Sequence, residues 1–169
     1  HWRAPFAVFG VALVVALVAL VVLEEPSVSR SSTLMAYLEQ FGAVVRDRQI
    51  LGLYAAALAT YVLFYGGVLT SMPLILDDSY GLTAPQIGLL LALTSVASAT
   101  VASQNARLGE RASVSTLLGS GFLAFGLAFV GIALADSIAV IGGLLLLFGV
   151  GVGLTMPSID RTLVGGVAS

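Results

Sequence analysis

Few side chains in this sequence could do chemistry, and their placement excludes most of it. The only histidine, His1, stands at the chain end, and there is no cysteine and no lysine. A multi-histidine metal centre, a thiolate metal site and a cysteine nucleophile are therefore excluded. The arginines and carboxylates lie between long apolar stretches, never in the middle of one. Hydrolysis within a membrane needs a general base or a metal, and proton relays need intramembrane ionisable groups. The sequence offers no catalytic residue, no metal ligand and no cofactor site, and it reads as a protein other than an enzyme.

What remains is aromatic, small and polar, or basic. Tyr54, Tyr61 and Tyr65 are spaced by 7 and 4 residues, so at about 100° per residue they share one helix face. Thr94, Ser98 and Asn105 repeat a one-face spacing further on, with Ser95 beside them. Tyr61, Tyr65, Thr94 and Ser98 are the candidates for lining a water-filled substrate cavity, where tyrosines give stacking surface and hydroxyls. The competing reading puts the tyrosines in the interfacial belt, which Tyr54 fits, and uses the Ser/Thr residues to pack helices. Gly149 and Gly153 form a GxxxG spacing that favours close helix contact or, alternatively, a slidable one. Met156-Pro157 should disrupt or kink the end of the last apolar stretch. The most specific local element is Arg107-Leu108-Gly109-Glu110-Arg111, read as a tight basic turn in which Gly109 supplies backbone freedom. It is either an anchor or a latch whose guanidinium pairs with a carboxylate in one conformation, Asp160 being the nearest candidate.

These residues must be carried by membrane helices. Of the 169 residues, 59% are hydrophobic and 9% charged, and the mean hydropathy is +1.07. A soluble domain carries roughly 25% charged residues, and this one could not cover its apolar surface. The net charge of −2 gives no basic footprint for nucleic acid. Uncharged stretches run over Pro5–Leu23, Ile50–Leu76, Ile87–Ala106, about Ala112–Ala135 and Ser137 to about Ile159. Each approaches or exceeds the roughly 20 residues that cross a bilayer as a helix. The first is longer than a signal-peptide core and runs straight into Glu24-Glu25-Pro26.

Arg30, Arg46, Arg48, Arg107, Arg111 and Arg161 fall on one side of such a five-span chain, against Arg3, Asp77, Asp78 and Asp136 on the other. The positive-inside rule puts 24–49, 107–111 and the C-terminal end in the cytoplasm. Thr83-Ala84-Pro85-Gln86 has capping-box spacing and should start the third span. Between the first two spans, Glu24–Ser32 reads as a linker. Leu34, Tyr37, Leu38, Phe41, Val44 and Val45 then mark an amphipathic helix at the membrane surface. The chain neither starts with methionine nor ends on a terminating signal, so it reads as a piece of a longer protein.

At this point the sequence resembles the major facilitator superfamily, from its sixth to its tenth transmembrane helix. Trp2-Arg3-Ala4-Pro5-Phe6 is similar to the family's W-R-x-x-F opening, and Tyr80-Gly81-Leu82-Thr83 with Gln86-Ile87-Gly88 to the outer loop before its eighth helix. Ala106–Arg111 is similar to the second copy of its D-R-x-G-R-R motif, with Ala106 in place of Asp and Glu110 in place of Arg. The resemblance implies an all-α, polytopic membrane protein within a 12-helix bundle of two halves around a midplane site. Residues 1–23 would be the last helix of the N-terminal half, 24–49 the central cytoplasmic loop, and 50–169 the first four helices of the C-terminal half. It implies a secondary active transporter in the plasma membrane, working in the lipid bilayer on a small-molecule substrate. The closest functional type would be proton-coupled drug or metabolite efflux, with the coupling acid on N-terminal helices of the same chain. By the family's internal symmetry, Arg107 with Asp160, flanked by Gly109 and Arg111, would be the cytoplasmic gate. The rival expectation is a multi-span scaffold or assembly protein that transports nothing.

Overall fold

The computed structural model describes the backbone of residues 11–22 and 47–167, and the described residues are helical almost throughout. The W-R-x-x-F segment, the linker and most of the expected amphipathic helix lie outside the described residues. The first helix, α1 (Val11–Val22), is the described part of the first expected span and belongs to a compact unit of its own.

The second unit is a bundle of four long helical rods. A continuous rod runs from Arg48 to Tyr80 as α2 (Arg48–Tyr61), a π-helical stretch (Val62–Ser71) and α3 (Met72–Tyr80). It is followed by α4 (Ala84–Arg111), α5 (Val114–Ala133) and α6 (Ile138–Val167). Each rod is long and apolar enough to cross a membrane. Three of the rods run past the expected spans, whereas α5 stops inside its own, because caps and turns rather than the ends of the apolar runs set where a helix begins and ends. Asp47 Oδ1 accepts from the N–H groups of Gln49 (2.8 Å) and Ile50 (3.3 Å). Gly81, at φ 62°, takes the left-handed conformation that ends α3. Gln86 Oε1 reaches back to the Thr83 N–H at 2.9 Å, in the capping arrangement its spacing suggests.

The expected basic turn is corrected. Residues 107–111 are the last turns of α4, and only Ala112 and Ser113 connect it to α5, with Ser113 Oγ capping the Thr116 N–H at 3.2 Å. Pro157 lies inside α6, which continues beyond it to Val167.

Between helices in lipid there is no hydrophobic force, so close packing and hydrogen bonds must hold the bundle. Here α6 is the central member, running parallel to α4 and antiparallel to α5 and buried between them. Small residues set both contacts. A Cβ on Gly153 would lie 2.6 Å from Ser98 O and 2.8 Å from Val101 Cβ, and one on Gly149 would run into the backbone oxygen of Thr94. On the other side, a Cβ on Gly151 would meet the Phe125 ring at 2.6 Å and Gly121 O at 2.9 Å. The GxxxG pair is therefore a close helix contact.

The opposite half of the bundle is filled by larger groups. Phe148, fully buried, has the rings of Phe125, Phe129 and Phe64 at 4.7, 5.4 and 6.3 Å. Tyr80 ties the far end of the first rod to the α5–α6 hairpin, its hydroxyl donating to Ala135 O at 2.9 Å.

The π-helical stretch has a physical reason in the sequence. Thr60, Phe64, Val68, Met72 and Leu76 recur every fourth residue and all pack inward. In an α-helix a four-residue repeat drifts by about 40° per step, roughly 160° over this series. Wider turns with i→i+5 bonding hold more residues and cancel that drift. The hydroxyls of Thr70 and Ser71 support these turns, donating five residues back to Tyr65 O (2.7 Å) and Gly66 O (2.8 Å). Gly67 leaves room for the Phe129 ring, whose edge would stand 2.5 Å from a Cβ there.

Candidate functional site

Two places collect the side chains that sequence reasoning singled out. The first is the outward face of the first rod. Tyr61 and Tyr65 are both half exposed and stack on each other, with ring centroids 5.9 Å apart and planes 18° from parallel. Phe64, from the inward face, meets Tyr65 edge-on at 5.3 Å and joins the tyrosines to the aromatic core. The pair sits at the start of the π-helical stretch. An aromatic surface with two phenol hydroxyls suits a flat, amphipathic organic molecule. A separate cavity of about 490 Å³ opens near the Asp77 end, between the first rod and the α5–α6 hairpin. Gly67, Ser71, Met72, Tyr80, Phe129 and Ile132 help line it, and the two tyrosines do not.

Thr94 and Ser98 are placed differently. Thr94 is buried, 1% exposed, and donates from Oγ1 to Leu145 O at 3.3 Å across the α4–α6 contact. Ser98 offers its backbone oxygen to the close approach of Gly153. Both serve helix packing in this conformation, and the structure does not bring them to the tyrosine face.

The second place is the arginine-bearing end of the bundle. Arg107, Arg111 and Asp160 are exposed there, and Arg107 and Arg111 border a shallow groove of about 250 Å³ with Gln104 and Leu108. Among the described residues Arg107 and Asp160 form no ion pair. The contact that is made is one residue over: Arg161 Nη2 donates to Asn105 Oδ1 at 3.1 Å, and the Arg161 guanidinium lies against Gly109. Glycine at 109 thus makes room for a neighbouring side chain, within a helix, instead of giving freedom to a turn.

Sequence reasoning named Asn105 only as a member of a polar stripe and Arg161 only as an inside charge. Asn105 is 1% exposed. Its amide nitrogen donates to Gly153 O (3.3 Å), Leu154 O (3.3 Å) and Ser158 Oγ (3.2 Å), its two N–H bonds shared among three acceptors. An Asn facing a proline-containing helix was the available signal. No buried polar side-chain atom among the described residues lacks a partner, and no cluster of metal-ligand type is found among them.

Compared with known proteins, the chain matches the family model described as Major Facilitator Superfamily over residues 1–166. No curated protein and no solved structure shows significant similarity to it.

Proposed function

We infer, from the premise that this chain belongs to the Major Facilitator Superfamily, that it is part of a secondary active transporter moving a small organic solute by alternating access. Family membership makes it a membrane transporter. The finer reading rests on the stacked, half-exposed Tyr61–Tyr65 face. This face stands on a rod widened by a π-helical stretch, a feature that recurs where helices carry function. Such a face suits an aromatic, amphipathic solute better than a heavily hydroxylated one, which supports efflux of drug-like or metabolite compounds. No described membrane span carries a mid-span acid, so proton coupling would be supplied by other helices of the bundle. By the arginine bias the arginine-bearing end is cytoplasmic, in the plasma membrane. Arg107, Gly109, Arg111 and Asp160 form its gate region.

The test uses the full-length protein in inverted membrane vesicles energised by a proton gradient, with ethidium as the probe solute. Uptake that a protonophore abolishes is expected, reduced about tenfold or more in Tyr61→Ala/Tyr65→Ala, the loss of two stacking surfaces being worth roughly 1 kcal/mol each. A membrane-impermeant maleimide should label Tyr61→Cys and Tyr65→Cys in a cysteine-free background. Labelling from neither side, with no ethidium movement, would leave the scaffold reading.

A further inference from the structure

Pro157 stands inside α6, within two turns of the arginine-bearing end. A proline has no N–H, so the carbonyl four residues earlier, Gly153 O, loses its helical donor. In a membrane helix a released carbonyl must find a donor elsewhere. Asn105 on α4 provides it: its amide nitrogen lies 3.3 Å from Gly153 O and 3.3 Å from Leu154 O, the neighbouring carbonyl on the same turn. Gly153 lets α4 come close enough for so short a side chain to reach. With its nitrogen committed to that task, the amide turns its oxygen towards Arg161 and accepts from Nη2 at 3.1 Å. One turn further along α4, Gly109 leaves the space the guanidinium fills.

We propose that Asn105 is a positioning residue: by bonding the carbonyl that Pro157 releases, it sets the angle of the last turns of α6 and holds Arg161 across α4 at Gly109, a clasp closing the arginine-bearing end of this bundle. The amide of Asn105 supplies both the donor and the acceptor that the position uses. Aspartate keeps the acceptor for Arg161 but has no donor for Gly153 O, and leucine has neither. The proposal goes beyond the transporter reading, and its central test needs no substrate.

The experiment is a double-mutant cycle on the full-length protein in nanodiscs, crossing Asn105→Leu with Pro157→Ala and reading the Tm. In the proline background Asn105→Leu should lower the Tm by about 5 °C or more. In the Pro157→Ala background, where the helix N–H is restored, the loss should fall to less than half of that. Equal losses in both backgrounds would overturn the pairing of Asn105 with Pro157. Should Asn105→Leu not accumulate, the double variant must; its failure also overturns the pairing.

The Arg161 arm is read separately, from the electron spin resonance spectrum of a nitroxide on Leu163→Cys. Gly109→Leu fills the Arg161 space without touching the Gly153 carbonyl, and it should mobilise the label while the Tm moves little. An unchanged spectrum in that variant would overturn the clasp. If the protein proves to move no solute, the transporter reading fails while cycle and spectrum still decide this one.

Discussion

Gly149 and Gly143 lie six residues apart on α6 and face opposite surroundings. A Cβ on Gly149 would run into the backbone of α4 at Thr94, whereas one on Gly143 would meet nothing within 4 Å. Backbone cannot swing aside as a side chain can, so Gly149→Ala has to push two helices apart. The expected cost is about 2–3 kcal/mol. Gly143→Ala should instead be neutral or stabilise by about 0.5 kcal/mol through better helix propensity. Thermal unfolding of the two variants side by side checks both signs. At this scale the sequence was half readable. The GxxxG spacing announced a close contact, but not that Thr94 and Ser98 were the residues it closed upon. Gly109 shows why: the same glycine serves a turn or a crowded helix, and only its neighbour Arg161 distinguishes the two.

The first rod teaches the same lesson at the level of the element. Its existence followed from an apolar run too long for anything but a membrane helix. Its π-helical stretch was written in the four-residue recurrence from Thr60 to Leu76, a period that an α-helix cannot keep on one side. Hydropathy alone passes over such a period because every residue in the run is apolar or small. Adjacent glycines within the stretch give the check. Gly67→Leu must displace the Phe129 ring and should cost about 2–3 kcal/mol, while Gly66→Ala, with nothing within 4 Å, should cost little. Equal effects on thermal stability would show that the ring does not depend on that gap. The ends of the rods were less legible than their middles: capping by Asp47 and the left-handed Gly81 carried the first rod beyond its apolar run, while capping by Ser113 started α5 inside its own.

For the whole molecule, the proposed alternating-access transport would ask that contacts at the arginine-bearing end exchange between conformations. In this one Arg161 engages Asn105, while Arg107 and Asp160 stay exposed. If Arg107 and Asp160 pair in the other conformation, Arg107→Asp and Asp160→Arg should each lower ethidium transport several-fold, and the double swap should restore much of it. Failure of the swap to rescue would remove that pair from the gate.

The position of α6 also bears on how the protein is made. Helices α4 and α5 are neighbours in sequence, joined by two residues, yet they touch each other little and share α6 as their partner. A nascent chain that has delivered only the first two of the three therefore holds them in lipid with their small-residue seams unmatched. Synthesis of α6 is the step that closes both seams at once. Pauses or truncations before about Gly153 would leave a half-built bundle for membrane proteases, even though every earlier helix had inserted correctly.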